Sequence, residues 1–284
     1  MTKKPLIGFI GQGWIGKNYA NDFENRGYQV VRYSLEAQYA HNKKKIAECD
    51  FVFIAVPTPT TPKGFDSSVV EEALTLVGKG NVAIIKSTVF PGTTESLQKK
   101  NPGKYVLHSP EFLSSATAAE DVTEPKRNII GIPIVSEEYN KKARSVLSLL
   151  PKALFESIVP SSASELIKYS SNCFYYTKVV FVNMLYDVAI KLGLSWKDIK
   201  DAMAADPWIG TGGMHLDPVH KGARGAGGHC FIKDFKAFAD FYAENVRDEK
   251  GDEILKSIQN KNISLLKESK KDLENLKAVY GKNS

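Results

Sequence analysis

The sequence predicts an α/β fold in which a doubly wound parallel sheet is followed by an all-helical region. Apolar runs of strand length alternate with segments of helical spacing up to Pro160, and residues 161–192 then contain neither Gly nor Pro. Alternating strands and helices are typical of a parallel sheet with helices on both faces. We therefore place a sheet domain at residues 1–160 and a helical region at residues 161–284.

The predicted strands are short apolar runs, as expected for strands that are buried on both faces. They occupy residues 6–10, 29–33, 51–56, 82–86, 105–108 and 128–132. Helices that cover the sheet are predicted at 14–25, 68–77, 94–99 and 136–149. In the second region a long helix is predicted over 161–192, where Gly193 ends it, and a last helix over 252–280.

The composition argues against several classes of protein. The net charge is +6, but acidic and basic residues alternate, so we predict no nucleic-acid partner. No apolar run approaches the ~18 residues that a membrane span needs, and the N-terminus lacks the apolar core of a secretion signal. The three cysteines are odd in number and have no C-x-x-C spacing, which favours a reducing compartment. We predict a cytoplasmic protein.

A glycine-rich turn directly follows the first predicted strand and opens the first predicted helix. It consists of Gly11, Gln12, Gly13, Trp14, Ile15 and Gly16. In such a turn the first glycine allows the tight bend, the second lets a pyrophosphate approach the backbone, and the third lets the helix pack on the strand. The turn therefore predicts a Rossmann-like domain that binds a dinucleotide.

The choice between NAD and NADP has two possible interpretations. An NAD-selective fold places Asp or Glu at the end of the second strand, where it binds the ribose 2′-hydroxyl. Here Ser34 stands at that position and Glu36 lies two residues later. Arg32 with Ser34 would instead favour a 2′-phosphate, unless Arg32 is a solvated strand residue. We predict NAD as the cofactor, with weak discrimination against NADP.

Cys230 follows a glycine run, residues 225–228, at the predicted start of a helix. A helix N-terminus stabilises a thiolate, and small neighbours let a substrate reach the sulfur. Asp234, four residues later, is expected to share the helix face of Cys230, with Lys233 pointing elsewhere.

A zinc site formed by Cys230 with His215, His220 and His229 is the alternative interpretation. The spacing of these residues matches no familiar ligand pattern, so we predict no metal. The other cysteines are interpreted as core residues, Cys49 and Cys173.

Three polar residues share one face of the long helix. Glu165, Lys168 and Asn172 follow the spacing i, i+3 and i+7. The stripe indicates either the lining of a cavity or a solvent-facing strip that contains a weak Glu–Lys pair. The sequence leaves both interpretations open.

Taken in order, these features make the chain resemble the UDP-glucose/GDP-mannose dehydrogenase family. After the glycine turn the matching segments are Val56-Pro57-Thr58-Pro59, Ser87-Thr88-Val89 with Pro91-Gly92-Thr93, Pro110-Glu111-Phe112-Leu113, Glu165-Leu166 with Lys168 and Asn172, Asp206-Pro207 with Ile209-Gly210, and Gly227-Gly228 with Cys230-Phe231 and Lys233-Asp234. The resemblance implies a homodimer that oxidises the C6 alcohol of a nucleotide sugar to a carboxylate with NAD.

The resemblance also implies roles for individual residues. Cys230 would attack the intermediate aldehyde, and Lys168 with Asn172 would stabilise the oxyanion. Asp234 and Thr88 would hold a water. Glu111 would act as the base in thioester hydrolysis. Besides the glycine turn and Ser34, the cofactor site would include Val56, Pro57, Thr58, Ser87 and Thr88.

The chain departs from the family at several positions, which leaves alternatives open. Trp208, Ser115, Ala226 and Ile232 replace residues usual in the family, and the stretch after Asp234 gives no sign of the further Rossmann-like domain that holds the nucleotide. We therefore expect weak nucleotide binding. The alternatives are a non-catalytic dinucleotide-binding or interaction subunit and a two-electron β-hydroxyacid dehydrogenase.

Overall fold

Seven strands form the main sheet of the structure, a computed structural model that describes residues 4–114, 116–209 and 214–281. In chain order they are β1 (Ile7–Ile10), β2 (Val30–Tyr33), β3 (Phe51–Ile54), β6 (Val82–Ile85), β7 (Tyr105–His108), β8 (Arg127–Ile132) and β9 (Phe155–Pro160). Two short strands lie between β3 and β6, β4 (Thr60–Thr61) and β5 (Gly64–Phe65), and they pair only with each other. The spatial order is β2-β1-β3-β6-β7-β8-β9.

The doubly wound sheet is confirmed, but it is not wholly parallel. The five strands from β2 to β7 pair in parallel. β8 then pairs antiparallel with β7 through His108 and Gly131, and β9 runs parallel to β8. β9 was not predicted because it is a half-exposed edge strand whose polar residues, Glu156 and Ser157, interrupt the apolar run.

Among the described residues, six α-helices and the 3₁₀ helix Lys43–Glu48 lie wholly within the sheet unit. The α-helices are α1 (Trp14–Asn25), α2 (Ala37–Ala40), α3 (Ser68–Thr75), α4 (Thr93–Lys100), α5 (Ala118–Thr123) and α6 (Glu137–Leu149). The core beside α1 includes three phenylalanine rings, because Phe9 stacks on Phe53 at 5.0 Å between ring centroids and Phe23 lies 5.3 Å from Phe53. The predicted helices correspond to α1, α3, α4 and α6, whereas the short helices α2 and α5 were missed.

The chain forms two compact units, residues 1–58 with 66–168 and residues 59–65 with 169–284. The first two turns of the long helix α7 (Ser161–Lys191) therefore belong to the first unit, rather than starting a second domain at residue 161. The β4–β5 hairpin belongs to the second unit, which also contains the pair β10 (Val219–His220) and β11 (Ala223–Arg224). The second unit is therefore mainly helical, not all-helical.

The remaining helices of the second unit are α8 (Trp196–Ala205), α9 (His229–Asn245), α10 (Glu249–Glu268) and α11 (Leu273–Tyr280). The single helix predicted over 252–280 is thus wrong. Lys270 and Asp272 have positive φ angles of 54° and 52°, which turn the chain between α10 and α11. In the parts of the chain that the structure describes, no helix is both long and apolar enough to cross a membrane.

Candidate active site

The glycine turn after β1 is fixed by contacts between backbone segments. Gly11 has a φ of 92°, and a Cβ at this residue would lie 2.2 Å from the carbonyl oxygen of Ala55. A Cβ at Gly16 would lie 1.9 Å from the carbonyl oxygen of Gly11. Side chains at these two positions would overlap with backbone atoms, so the turn requires glycine for steric reasons.

Gly13 differs from its neighbours because its surroundings are open. Apart from its two chain neighbours, no described residue has an atom within 4 Å of the Cβ position of Gly13. Gly13 is the N-cap of α1, and glycine has no side chain that could accept a hydrogen bond from the first backbone amides. These amides fit a pyrophosphate, which binds readily at an open helix N-terminus. Of the other turn residues, Gln12 is buried, Trp14 is exposed and Ile15 packs partly against the core.

Arg32 is held by the first unit itself, so the interpretation of a solvated residue is wrong. Its Nε and Nη2 atoms donate to the two carboxylate oxygens of Glu24 at 2.9 and 2.7 Å, and Nη2 also donates to Asn21 at 2.7 Å. Its Nη1 atom donates to Gln12 of the glycine turn at 3.3 Å. Glu24 therefore neutralises the positive charge that would otherwise favour a 2′-phosphate.

The predicted cofactor residues after β3 and β6 contact each other, as expected for the carboxyl ends of parallel strands. The amide of Val56 donates to Ser87 Oγ at 3.0 Å, and Ser87 Oγ donates back to the Val56 carbonyl at 2.7 Å. Thr58 Oγ1 donates to the carbonyl of Thr88 at 2.8 Å, while Pro57 is exposed between them. At the end of β2, Ser34 Oγ accepts from the amide of Glu36 at 3.3 Å.

Glu111 and Lys168 form a buried ion pair in the first unit. Lys168 Nζ donates to Glu111 Oε1 at 2.7 Å and to the Glu111 carbonyl at 2.8 Å. Glu111 Oε2 accepts from the amide of Leu113 at 2.7 Å. Both side chains are more than nine-tenths buried. Because removal of one partner would leave a buried charge, such a pair holds its members firmly, with a cost of about 3–5 kcal/mol for breaking it.

A second buried lysine, Lys86, lies beside this pair and was missed by the sequence analysis. Its Nζ atom donates to the carbonyl and hydroxyl of Ser109 at 3.0 and 3.1 Å and lies 4.3 Å from the ring centroid of Tyr19. Burial lowers the pKa of Lys86 to about 7, against the opposing effect of Glu111. The signal was present in the sequence, since a lysine ends the buried run predicted at 82–86.

The polar stripe of α7 divides among three different partners. The carboxylate of Glu165 accepts from the backbone amides of Gly92 and Thr94 at 2.7 and 2.8 Å and from Thr94 Oγ1 at 2.5 Å. Glu165 thus fills the N-terminus of α4, and it is fully buried. The solvent-facing strip and the Glu–Lys pair are both wrong. Burial raises the pKa of Glu165 to about 7, although these hydrogen bonds oppose the shift.

In the second unit, Asp234 receives two side-chain donors. Asn172 Nδ2 donates to Asp234 Oδ2 at 2.6 Å, and Lys233 Nζ donates to Asp234 Oδ1 at 2.6 Å. The expectation that Lys233 points elsewhere is therefore wrong, because its flexible side chain folds back on the neighbouring carboxylate. Cys230 lies in the first turn of α9 and is exposed, whereas Cys49 and Cys173 are buried as predicted.

The histidines of the rival zinc site are engaged otherwise or lie apart from a ligand cluster. The ring of His215 packs against Tyr175 and Phe231, at 4.9 and 5.7 Å between ring centroids. Within residues 4–114, 116–209 and 214–281, no three His, Cys, Asp or Glu side chains are grouped to hold a metal ion.

The residues that depart from the family pattern differ in burial. Trp208 is exposed, whereas Ala226 and Ile232 are buried. Ser115 and Gly210 lie outside the described residues.

The fold and these sites define a dinucleotide-binding α/β protein with a cysteine at a helix start. Residues 32–148 match the NAD binding domain of the UDP-glucose/GDP-mannose dehydrogenase family, and residues 162–263 match its central domain. The chain belongs to this family. The match to an NAD binding domain also confirms the prediction of NAD as the cofactor.

Individual relatives agree with this assignment. The UDP-glucose 6-dehydrogenase of Rickettsia prowazekii is 31% identical over 223 residues, which are 74% of this chain and 48% of that protein. A putative UDP-glucose 6-dehydrogenase of Bacillus subtilis is 32% identical over 79% of this chain and 53% of its own length. The chain thus spans about half the length of the curated relatives that it matches.

Solved structures show the same fold. A UDP-glucose dehydrogenase from the archaeon Pyrobaculum islandicum is 26% identical with a TM-score of 0.78, covering 93% of this chain and 69% of that chain. A 3-hydroxyisobutyrate dehydrogenase of Mycobacterium tuberculosis has a TM-score of 0.70 and covers 94% of this chain and 95% of its own. At 16% identity, the second likeness concerns the fold alone.

Proposed function

We propose that this protein is an NAD-dependent nucleotide-sugar 6-dehydrogenase that converts a C6 alcohol to a carboxylate, with UDP-glucose as the first substrate to test. The observation that carries the proposal is the exposed Cys230 in the first turn of α9, four residues before a buried Asp234 that Asn172 and Lys233 hold in place. A two-electron alcohol dehydrogenase has no use for such a cysteine. The family assignment and the open glycine turn support the same conclusion.

The proposed reaction has two oxidations and one hydrolysis. Bound NAD supplies a hydride acceptor for each oxidation. The first oxidation removes a hydride from C6 and a proton from its hydroxyl, which gives an aldehyde. The Cys230 thiolate then forms a C–S bond to the aldehyde carbon, and the carbonyl electron pair moves to oxygen, which gives a thiohemiacetal. Loss of the second hydride yields a thioester, from which water displaces the thiolate and leaves the carboxylate.

The other predicted site residues take the roles that the family resemblance gives them. The ammonium of Lys168 and the amide of Asn172 stabilise negative charge on the C6 oxygen, while Asp234 and Thr88 hold the water. Glu111 takes a proton from this water during thioester hydrolysis. The buried hydrogen bond from Lys168 Nζ to Glu111 Oε1 supports a shared role for these two side chains, since it holds both at one place in the first unit.

We also propose that the protein works as a homodimer in the cytoplasm. Phe174, Phe181 and Val188 are spaced seven residues apart on α7, and each is more than half exposed. An exposed apolar stripe with this spacing is typical of a helix that pairs with another helix. The cytoplasmic location rests on the cysteines, all of which lie among the described residues as thiols.

The proposal is tested by counting the NADH formed from a known amount of UDP-glucose, or of GDP-mannose if UDP-glucose is inert. Two NADH per sugar are expected. Cys230→Ser should lower complete turnover at least about 100-fold because it removes the nucleophile. The matched control is Cys49→Ala, which removes a buried thiol of the first unit and should retain turnover.

Other outcomes identify the alternatives. One NADH per sugar, with Cys230→Ser as active as Cys49→Ala, would contradict the proposal and indicate a two-electron dehydrogenase. NAD binding without turnover of any nucleotide sugar would indicate a non-catalytic subunit.

A further inference from the structure

The turn between α10 and α11 contacts the glycine run that leads to Cys230. We call the four residues that make these contacts the α10–α11 corner; they are Asn262, Ser269, Lys271 and Asp272. Each of them hydrogen-bonds to the backbone of the segment 224–228. All of these residues belong to the second unit.

Asn262 holds the middle of the glycine run with both ends of its amide. Its Oδ1 atom accepts from the amide of Ala226 at 2.7 Å, and its Nδ2 atom donates to the carbonyl of Ala226 at 3.0 Å. Asn262 and Ala226 are each 1% exposed. Because both polar ends of a buried side chain are satisfied by one backbone residue, Asn262 fixes the position of Ala226.

Two further contacts hold the residues before Ala226. Lys271 Nζ donates to the carbonyl of Gly225 at 2.9 Å, and Ser269 Oγ accepts from the amide of Arg224 at 2.9 Å. Gly225 has a φ of 90°, and a Cβ there would lie 3.1 Å from Asn262 Oδ1 and from Leu266. The run therefore adopts a backbone conformation that requires glycine at residue 225, and hydrogen bonds from the α10–α11 corner hold it in that conformation.

Asp272 contacts the end of the run, at the start of α9. Its Oδ2 atom accepts from the amide of Gly228, the N-cap of α9, at 2.8 Å. A Cβ at Gly227 would lie 2.1 Å from the same oxygen, so the carboxylate lies directly against this backbone. Cys230 follows two residues after Gly228. The carboxylate of Asp272 thus lies at the same helix end as the thiol.

We propose that the α10–α11 corner sets the reactivity of Cys230, with Asn262 positioning the loop and the charge of Asp272 restraining the thiolate. The inference rests on the proposed function only for the statement that this thiol serves catalysis. A helix N-terminus stabilises an anion, but at the start of α9 the Asp272 carboxylate already accepts a hydrogen bond from the Gly228 amide. A second negative charge on Cys230 is disfavoured by repulsion from the carboxylates of Asp272 and of Asp234 on α9. The ammonium groups beside these carboxylates, on Lys271 and Lys233, weaken the repulsion.

The proposal predicts opposite effects on Cys230 alkylation for a variant of Asp272 and a variant of Asn262. Asp272→Asn keeps an oxygen that can accept from the Gly228 amide but removes the negative charge. The rate of Cys230 alkylation by iodoacetamide at pH 7 should rise about 2–5-fold, and its pH midpoint should move to lower pH. Asn262→Ala releases the loop, so the start of α9 loses its fixed position and alkylation should slow by a similar factor.

The matched control is Asp252→Asn, which makes the same charge change on α10, where Asp252 pairs with Lys256. Alkylation reports on Cys230 because the other two cysteines are buried, and Cys230→Ser gives the background. Thermal unfolding identifies variants that do not fold. If Asn262→Ala is among them, Asn262→Ser, which removes the amide without adding a charge, replaces it.

Equal alkylation rates and pH midpoints for Asp272→Asn and Asp252→Asn would overturn the inference. The measurement needs neither NAD nor a sugar, so it remains valid if the dehydrogenase activity is absent. If the proposed function were wrong, the wild-type protein would form no NADH from nucleotide sugars, while the effects of the variants on Cys230 alkylation would still be observed.

Discussion

The two units each place a glycine run before a helix, but they support it differently. In the first unit, Gly11 and Gly16 are required by backbone atoms that lie about 2 Å from their Cβ positions. In the second unit, side chains of the α10–α11 corner hold the run, and the contacts of Gly225 are with Asn262 and Leu266 side chains. The first run is held by backbone atoms, those of Gly11 itself and of Ala55, whereas the second run is held by side chains of a distant segment.

The two helix starts also differ in what occupies them. The N-cap of α1, Gly13, brings no acceptor of its own and has open surroundings, so the first amides of α1 are accessible to a pyrophosphate. The amide of Gly228 already binds the carboxylate of Asp272, and α4 is filled in the same way by Glu165. A glycine before a helix therefore does not by itself indicate an anion site. The distinguishing observation is whether the protein supplies its own acceptor.

The largest expected effect separates backbone support from side-chain support. Gly16→Ala should lower the free energy of unfolding by more than about 3 kcal/mol, because its Cβ would overlap with the Gly11 carbonyl. Gly225→Ala should cost about 1–2 kcal/mol, since the side chains it meets can move and only its positive φ remains strained. Urea unfolding measures both. Equal losses would remove the distinction between the two runs.

The next effect tests the filled helix start of α4 through pH. Burial raises the folded-state pKa of Glu165 from 4.5 to about 7, so the unfolded chain releases this proton first as pH rises. The contribution of Glu165 is therefore complete below pH 4.5 and is lost as pH rises through 7, by up to about 3 kcal/mol.

The measurement is the unfolding free energy of the wild type minus that of Glu165→Gln, at pH 4.5 and at pH 8. We expect this difference to be smaller at pH 8, because the wild type has then lost the contribution of Glu165. Glu71→Gln, which changes an exposed ion pair, is the control and should show little pH dependence. A difference that does not vary with pH would show that Glu165 stays ionised.

The smallest change tests the open helix start. Gly13→Ala should leave the unfolding free energy within about 0.5 kcal/mol, because no described atom outside its two chain neighbours lies within 4 Å of the new Cβ. It should weaken NAD binding at least about tenfold, since a methyl group would occupy the approach to the pyrophosphate. Calorimetric titration with NAD checks this, with the exposed turn variant Gly103→Ala as control. Unchanged NAD affinity would place the pyrophosphate elsewhere.

The same contrast explains what the sequence could predict. The bounds of α1, the parallel strands and the start of α9 follow from local patterns of apolar residues and glycine. The partners of the polar stripe could not be predicted, because Lys168 and Glu111 are 57 residues apart and Glu165 and Thr94 are 71 apart. Helical spacing shows that side chains share a face, but it does not show which distant element meets that face.

The second unit repeats this lesson. The break between α10 and α11 depends on two residues other than glycine with positive φ, Lys270 and Asp272, of which only Asp272 is of a type common in turns. Their conformation is accompanied by contacts with the glycine run more than 40 residues away. The functional role of the loop before Cys230 stays a prediction, and the segment that holds this loop had been predicted as part of one continuous helix.

The pairing of Arg32 with Glu24 gives this protein a short evolutionary path to another cofactor preference. A fold that binds NAD ordinarily changes to NADP by losing an acidic residue at the end of β2 and by gaining a cation for the 2′-phosphate. Here Ser34 is already uncharged, and the cation is already present as Arg32, beside Gln12 of the glycine turn. What cancels it is one carboxylate on α1. A one-codon change at Glu24 would release that charge, so cofactor preference lies within reach of a single mutation.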